Sequence, residues 1–377
     1  MAPPYRVNQI RSLLRPGEHC PTHRKNELAN DETIKHAEAE AVDKVVKKQL
    51  ELGIRPICSG EYCRHIVYGG FFETLDGMKP EPGIPIPDAF RTDFPTTTGL
   101  AKSGTKSAYL QEWKLMTKTL PESTRKHCKI TMPAPNYQHI PLKPGTAYTA
   151  QSGYHSDEEY FKALGEAYAA EIKALYDAGC RNVHVDDPHL TYFCSAQFLG
   201  GCKPDGVDAD ALMDLYLETH NHFLRRKPKD LHVGTHLCRG NMSGSTYWVS
   251  GSYDQIADKL FSKTQHVSYY LELDDVGRTG GFEPLRYPPK GKNVVLDLVS
   301  TKKAQLEDQN GLKAKVKQAT KEVAHGQPVS EEEALESLAL SPQCGFSSSS
   351  LAGGKDMTWG RMWEELMLVR DTASEVW

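Results

Sequence analysis

Apolar and polar residues alternate along the chain in two rhythms, one helical and one typical of buried strands. In the segments 36–52 and 157–178, apolar residues recur every three or four positions, and Lys and Glu occupy the other side. Gly53 and Gly179 follow these segments directly, where a helix commonly ends. The pattern therefore predicts two amphipathic helices, each packing one face against a sheet.

Eight short apolar runs, mostly β-branched or aliphatic, have the character of fully buried parallel strands. They are residues 5–10, 55–58, 129–132, 182–185, 231–234, 267–271, 293–298 and 338–340. Eight strands that alternate with helices in a chain of 377 residues predict the α/β class and a single (β/α)8 TIM barrel. No boundary interrupts the alternation, so we expect one domain over residues 1–377.

Two stretches extend this predicted barrel. Residues 16–52 form a helical extension at the N-terminus that leads into the second strand. Residues 70–105 are rich in Pro, Gly and Thr and have little periodicity. A βα insertion of this length lies on the active-site face of a barrel, so we interpret it as a lid over the mouth.

The composition narrows the range of partners. The formal net charge is −4, and the chain has no concentrated basic surface of the kind that nucleic acids or anionic membranes require. No apolar run approaches the roughly 18 residues of a membrane span, and the first residues lack a signal core. We therefore expect a cytoplasmic location, no nucleic-acid or membrane partner, and leave open whether the chain forms a homo-oligomer.

Polar residues crowd immediately after the predicted strands, where the active site of such a barrel lies. His236 and Cys238 end the fifth strand, and side chains at positions i and i+2 point to the same side. Cys344 follows the last strand and Glu272 follows the sixth. One histidine, two cysteines and one glutamate make a tetrahedral zinc shell, so we predict a Zn²⁺ site from these four residues.

Asp274 and Asp275 are alternatives to Glu272 as the fourth ligand, because both lie close to it in sequence. Two thiolates and one carboxylate around a dication leave a net charge near −1. Such a zinc polarises water poorly but lowers the pKa of an incoming thiol and leaves its sulfur nucleophilic. A purely structural zinc site is the alternative, and it is more typical of small domains.

With these residues in place, the chain resembles the catalytic C-terminal barrel of cobalamin-independent methionine synthase and its shorter relatives, which include epoxyalkane:coenzyme M transferase. The resemblance covers most of the chain as short motifs in the same order. They are Arg11-Ser12-Leu13-Leu14-Arg15-Pro16, Ser59-Gly60-Glu61-Tyr62-Cys63-Arg64, Val185-Asp186-Asp187-Pro188, His236-x-Cys238, Leu271-Glu272 and Pro342-Gln343-Cys344-Gly345.

The resemblance implies the zinc ligands named above and a pocket for the thiol substrate lined by Ser12, Glu61 and Asp186. In methionine synthase the matching groups hold the amino-acid part of homocysteine, and two carboxylates near an ammonium make physical sense. A sulfonate thiol such as coenzyme M would need cations instead. The candidates for that role are Arg15, Arg64, Arg239, Arg278 and Arg286.

The residues that would handle folate differ from those of the family. The stretch 133–139 has no Trp to pack on the folate, Tyr192 stands where a pterin-contacting Glu is expected, and Val299 stands where the family has the proton-donating His. Methyl transfer from a folate needs such an acid. We therefore predict S-alkyl transfer to a non-folate electrophile such as an epoxide, with Tyr192, His189 or Lys302 as the proton donor.

Three alternatives stay open. Methyl transfer to homocysteine from a folate or another methyl donor is the first, and Glu61 with Asp186 favours such an amino-acid thiol. A metal-free barrel of the uroporphyrinogen decarboxylase type is the second, although His236, Cys238 and Cys344 speak against it. A non-catalytic barrel protein is the third, because fold does not determine function.

Overall fold

The computed structural model of the chain describes residues 2–15, 32–64, 66–80, 97–102, 106–142, 145–241, 246–347 and 356–377. Its strands are β1 (Asp76–Pro80), β2 (Thr97–Lys102), β3 (Ile130–Pro133), β4 (Asn182–Asp186), β5 (His232–Leu237), β6 (Ser268–Glu272), β7 (Asn293–Val299) and β8 (Leu338–Pro342). Strands β3 to β8 form a six-stranded sheet in chain order, and every neighbouring pair is parallel.

Helices α1 and α2 precede β1, α12 follows β8, and the others lie between strands. They are α1 (Glu32–Glu51), α2 (Phe71–Thr74), α3 (Leu110–Thr117), α4 (Glu122–Arg125), α5 (Asp157–Asp177), α6 (Ala196–Cys202), α7 (Ala209–Leu224), α8 (Ala257–Lys263), α9 (Val276–Thr279), α10 (Gln309–Gly326), α11 (Glu331–Leu335) and α12 (Trp359–Val376). Helices α1 and α5 confirm the two amphipathic segments predicted from periodicity. Gly53 and Gly179 follow them with φ of 70° and 99°, a backbone that glycine adopts readily.

The sheet is buried along its length, as its apolar sequence predicts. Strands β4, β6, β7 and β8 are buried at every position, because helices cover parallel strands on the outside and side chains fill the space within. Six of the eight predicted strands are therefore confirmed. The result is an α/β protein with a parallel sheet.

The two outer predictions, strands at 5–10 and 55–58, are wrong as regular strands. Each segment makes one parallel bridge, Val7 to Leu340 on β8 and Ile57 to Cys128 before β3. The physical reason differs between them. Lys129 donates to the Asn8 side chain and the carbonyl of the next residue, and the proline at position 56 has no N–H to give to a ladder. The closed eight-stranded barrel stays a prediction.

The insertion 70–105 has structure of its own where it is described. Helix α2 opens it, and β1 pairs with β2 in an antiparallel hairpin. Residues 81–96 and 103–105 of the predicted lid, and residues 16–31 of the predicted N-terminal extension, lie outside the described residues. Among the described residues, no helix combines the length and apolar character that crossing a bilayer requires.

The register of the sheet decides what meets at its carboxyl edge. Asp186 at the end of β4 is the partner of His236 on β5, and Glu272 at the end of β6 is the partner of Asp297 on β7. Asp297 in turn lies beside Ser341 on β8. Polar residues that are far apart in sequence are thus placed side by side.

Candidate metal and substrate site

The carboxyl edge of the sheet brings together His236, Cys238 and Cys344. One ligand atom from each lies within 4.8 Å of the other two, and all three side chains are fully buried. His236 is on β5, Cys238 directly follows that strand, and Cys344 follows β8. The structure therefore assembles three of the four residues predicted to hold zinc.

The two sulfur atoms test whether this group fits the metal. The Sγ atoms of Cys238 and Cys344 are 3.7 Å apart, and neither cysteine is in a disulfide. Two thiolates bound to one zinc at about 2.3 Å with a tetrahedral angle would lie roughly 3.8 Å apart. The spacing and the soft donor set thus fit Zn²⁺.

A second layer of contacts orients the histidine. His236 Nδ1 lies 2.7 Å from Oδ1 of Asp186, so Nε2 is the nitrogen that could bind a metal. Nε2 lies 3.4 Å from the carbonyl oxygen of Gln343, the residue before Cys344. The other oxygen of Asp186 is 3.0 Å from the guanidinium of Arg11 and accepts a 2.7 Å hydrogen bond from the Tyr137 hydroxyl. Both oxygens of this carboxylate therefore contact residues of the site.

Charge is already separated in the metal-free group. Burial by itself would raise the pKa of the Cys344 thiol, but a hydrogen bond from Cys238 and the charge of Arg11, whose Nη2 is 3.4 Å away, lower it to about 5. Burial by itself would lower the pKa of His236, but its hydrogen bond to Asp186 and the negative charge of Cys344 raise that pKa to about 9. The two shifts favour a thiolate at Cys344 and a protonated ring at His236.

Glu272, the predicted fourth ligand, is buried near this group but is not one of its members among the described residues. Its carboxylate accepts hydrogen bonds from protein donors, including Nε of Arg278 at 2.6 Å. Asp274 and Asp275, the suggested replacements, bind the same guanidinium at 2.5 Å and 3.4 Å. Arg278 thus binds all three carboxylates that were predicted as candidates for the fourth zinc ligand.

Asp297 is a site residue that the sequence pattern did not assign. One of its oxygens lies 3.5 Å from Nε2 of His236, and the other accepts a hydrogen bond from Ser341. Burial raises the pKa of its carboxyl well above the usual range. Its position inside the apolar run 293–298 was the available signal, because a carboxylate in the middle of a buried strand needs a partner.

Two of the three predicted substrate-binding residues lie around Arg11. Its side chain contacts Asp186 and Cys344, and its charge acts on Glu61, whose pKa is nevertheless raised by burial. Arg11 was in a recognised motif without an assigned role. Its place directly after the first apolar run marks it as a site residue, although the sequence does not show which residues it contacts.

The two oxygens of Glu61 differ in their contacts. Its Oε1 accepts a 2.5 Å hydrogen bond from Thr131 and pairs with Arg64 at 3.3 Å. Its Oε2 is buried and has no hydrogen-bond partner among the described residues. Ser12, the third predicted residue, accepts a bond from the backbone N–H of Ser347 at 3.3 Å, so its hydroxyl is tied to the loop after β8.

Of the three predicted proton donors, Tyr192 and Lys302 are buried and His189 is partly exposed. The His189 ring packs at a tilt against Tyr137 with ring centroids 4.3 Å apart, and loss of hydration lowers its pKa to about 4. Burial raises the pKa of the Tyr192 hydroxyl. The Lys302 amine donates to the carbonyl of Gly240 at 2.6 Å and so braces the loop that follows Cys238.

Solved structures share this architecture over the whole chain. A Listeria monocytogenes protein described as a vitamin-B12-independent methionine synthase superposes with a TM-score of 0.73 and 24% identity, over 100% of this chain and 99% of that one. A B12-independent methionine synthase from a Shewanella species, in complex with selenomethionine, superposes with a TM-score of 0.71 and 18% identity, over 98% of this chain and 97% of that one. The chain therefore has the fold of these two structures.

Sequence comparison gives the family. The chain is 31% identical to the uncharacterized protein YxjG of Bacillus subtilis over 387 aligned residues, covering 100% of this chain and 95% of the relative. It is also 31% identical to the uncharacterized protein YxjH of the same organism, covering 99% of this chain and 95% of that relative. The chain belongs to the family of YxjG and YxjH. No model of a known protein family matches it.

Proposed function

We propose that this protein is a zinc-dependent transferase that moves a methyl group to the sulfur of a small thiol, with homocysteine as the acceptor. The observation that carries the proposal is the buried group of His236, Cys238 and Cys344 at the carboxyl edge of the sheet. The full-length likeness to two proteins described as methionine synthases supports it. The selenomethionine in one of those structures is a close analogue of the product expected here.

His236, Cys238 and Cys344 would hold the metal, and Asp186 would keep the histidine in the tautomer that offers Nε2. Zinc bound there would lower the pKa of an incoming thiol, ordinarily about 8.5, and leave its sulfur nucleophilic. Arg11 would balance the negative charge of Asp186 and of Cys344. Burial of the whole group excludes water, which strengthens each of these interactions.

The unpartnered Oε2 of Glu61 supports an amino-acid thiol as the acceptor. A buried carboxylate oxygen without a donor is unfavourable, and the ammonium of homocysteine would supply one. Asp186 contributes to the same negative environment, but its oxygens already serve His236, Arg11 and Tyr137. We therefore assign the ammonium contact to Glu61 and the orientation of the histidine to Asp186.

In the reaction, the thiol loses its proton, and its sulfur lone pair forms a new S–C bond with the methyl carbon. The bond between methyl and donor breaks, and its electron pair leaves with the donor. His189 is neutral at pH 7 and Tyr192 is a weak acid in its buried setting, so neither is poised to protonate a poor leaving group. We propose a methyl donor whose leaving group needs little help from an acid.

The epoxide-opening reaction favoured by the sequence is the second candidate. The structural comparisons support methionine formation better than this reaction. What keeps the epoxide candidate is that Val299 occupies the position of the proton-donating histidine and is buried in β7. An epoxide carries no separate leaving group and needs a proton only for its alkoxide.

A thiol-consumption assay on the zinc-loaded protein tests the proposal. Homocysteine, coenzyme M, cysteine and glutathione are each paired with methyl-folate, with other small methyl donors, and with short epoxides. We expect homocysteine consumption matched by methionine formation with at least one methyl donor. Consumption of thiol with epoxides alone would replace the proposal by the second candidate. Absence of zinc from the purified protein would remove both.

A further inference from the structure

Glu61 has an unusual backbone conformation for a residue with a long side chain. Its φ is 61°, in the left-handed region that residues other than Gly, Asn, Asp and His seldom adopt. Its N–H donates a 3.0 Å hydrogen bond to Oγ of Ser59, and the Ser59 hydroxyl donates a 2.5 Å hydrogen bond to Oε1 of Glu112. Two hydrogen bonds in series therefore connect the backbone of Glu61 to helix α3, on which Glu112 lies.

The side chain of Glu61 is connected to Glu112 by a second route, through Arg64. Nε of Arg64 donates to Oε2 of Glu112 at 2.9 Å, and Nη2 donates to Oε1 of the same carboxylate at 3.2 Å. Nη1 lies 3.3 Å from Oε1 of Glu61. Burial by itself would lower the pKa of Arg64, but the charges of Glu112 and Glu61 raise it. Arg64 is therefore a cation shared between two carboxylates, and Glu112 makes the closer contacts with it.

The charges of this group do not balance. The side chains of Glu61, Arg64 and Glu112 are all buried, and two carboxylates with one guanidinium leave a net charge near −1. Arg11, whose charge also acts on Glu61, is already paired with Asp186. Oε2 of Glu61 is the oxygen without a hydrogen-bond partner among the described residues. One further cation at that oxygen would balance the group, and the ammonium of an amino-acid thiol is such a cation.

We propose that Glu112 is a positioning residue for the amine contact. It holds Ser59 and Arg64 in place, and they keep Oε2 of Glu61 available to the substrate. The inference rests on the proposed function and assigns part of the preference for amino-acid thiols to a residue that acts through Glu61. Without the charge of Glu112, Arg64 would have Glu61 as its only carboxylate partner among the described residues. A buried cation needs a close partner, so the carboxylate of Glu61 would then serve Arg64 instead of the ammonium.

Helix α3 is anchored independently of Glu112. Glu171 on α5 accepts 3.0 Å hydrogen bonds from the backbone N–H groups of Ala108 and Tyr109, at the start of α3. The Tyr109 ring in turn lies 4.3 Å from the guanidinium carbon of Arg64. Glu171 is buried like Glu112, but its carboxylate binds the start of the helix and not Arg64. It therefore offers a matched control for the loss of a buried carboxylate in this region.

The test measures the binding of two thiols to the zinc-loaded, full-length protein by calorimetry. Homocysteine has the amino group, and 4-mercaptobutanoate lacks it. Glu112→Gln keeps the size of the side chain and removes its charge. We expect this variant to weaken homocysteine binding about tenfold or more, because a hydrogen bond to a charged group is lost, and to leave 4-mercaptobutanoate binding unchanged. Glu171→Gln, the matched control, should retain the full preference for homocysteine.

Two further readouts separate positioning from general structural support. In steady-state kinetics, Glu112→Gln should raise the KM for homocysteine and leave kcat nearly unchanged, because the ammonium contact is made equally in the ground state and the transition state. The combination of Glu112→Gln with Glu61→Gln should lose no more of the preference for homocysteine than Glu61→Gln alone, because both changes act on the same contact.

Equal weakening of both thiols by Glu112→Gln, or a full preference for homocysteine in that variant, would overturn the inference and leave the proposed function standing. An unaltered chain that binds both thiols equally would contradict the proposed acceptor and, with it, the inference. Ser59→Ala keeps the test decisive if far-UV circular dichroism shows that Glu112→Gln does not fold. It breaks only the backbone route, so it should lose part of the preference, and a Ser59→Ala protein that keeps all of it would also overturn the inference.

Discussion

Nδ1 of His236 lies 2.7 Å from the carboxylate of Asp186, and the two residues are register partners on adjacent parallel strands. The contact fixes the ring and its tautomer, so we predict that Asp186→Asn weakens zinc binding roughly 10- to 100-fold without unfolding the protein. Chelator competition measures the affinity. Asp177→Asn on the exposed side of α5 is the matched control and should bind zinc normally. An Asp186→Asn protein with unchanged affinity would contradict the orienting role.

Cys344→Ser should abolish stoichiometric zinc binding, because it removes one of two soft ligands from the site. Cys202→Ala provides the control, since Cys202 is a buried free cysteine on α6. The measurement is metal analysis of the purified proteins, with about one zinc per chain expected for Cys202→Ala. A Cys344→Ser protein that retains a full equivalent of zinc would remove Cys344 from the ligand set.

Zinc binding should release about two protons at pH 7. The Cys344 pKa of about 5 leaves that thiol already deprotonated, whereas the His236 pKa of about 9 leaves the ring protonated. The pKa of Cys238 is raised by its hydrogen bond to Cys344 and by burial, so Cys238 also carries a proton. Affinity should therefore increase with pH between about 5 and 9.

Calorimetry in buffers of different ionisation enthalpy counts these protons. Release of about three would mean that Cys344 is a normal thiol in the metal-free protein. Release of about one would mean that His236 is neutral before the metal binds. The Cys344→Ser variant gives the background value for the rest of the chain.

Gly345→Ala should destabilise the protein by about 1–3 kcal/mol and weaken zinc binding. A Cβ atom at Gly345 would lie 2.1 Å from Oγ and 2.9 Å from the backbone N of Ser12, so the loop after Cys344 would have to move. Gly360→Ala on α12 meets no atom within 4 Å and should be neutral or stabilising. Chemical denaturation of the two variants measures the difference, and equal stabilities would rule out the contact as the cause.

Glu61→Gln should raise the KM for homocysteine about tenfold or more, because a bond to a charged group contributes about 1.5–3 kcal/mol. A thiol that lacks the amino group, 4-mercaptobutanoate, should bind equally to both proteins. Glu158→Gln on the exposed face of α5 is the control. Steady-state kinetics with both thiols gives the comparison, and an equal effect on both would exclude an ammonium contact.

Much of this site could be predicted from local sequence. His236 and Cys238 can be predicted as a pair because residues two positions apart at a strand end point to the same side. Cys344 can be predicted because it directly follows a buried run. These inferences need only the strand positions and the rule that parallel strands end at one edge. The same rule placed Asp186 beside them.

The rest depended on contacts that no local pattern contains. Glu272 has the right residue type and position for a ligand, but nothing in the local sequence predicts its contacts with Arg239, Arg278 and Gln343. Arg11 is 333 positions from Cys344 in sequence, so nothing near either residue reveals their contact. The flanking segments 5–10 and 55–58 do not form regular strands because side chains bond their backbone groups: Lys129 donates to the Gln9 carbonyl, and Gln49 binds the N–H and C=O of Cys58. Pro56 also has no N–H to give.

The contact between Arg11 and Cys344 spans nearly the entire chain, and it has a consequence for the order of folding. Contacts of such large sequence separation form late, because the intervening segments must be synthesised and collapsed first. The cysteine that completes the metal group is synthesised only after all eight strands, because it follows β8. A nascent chain therefore cannot assemble this group early, and metal loading belongs to the end of the folding process.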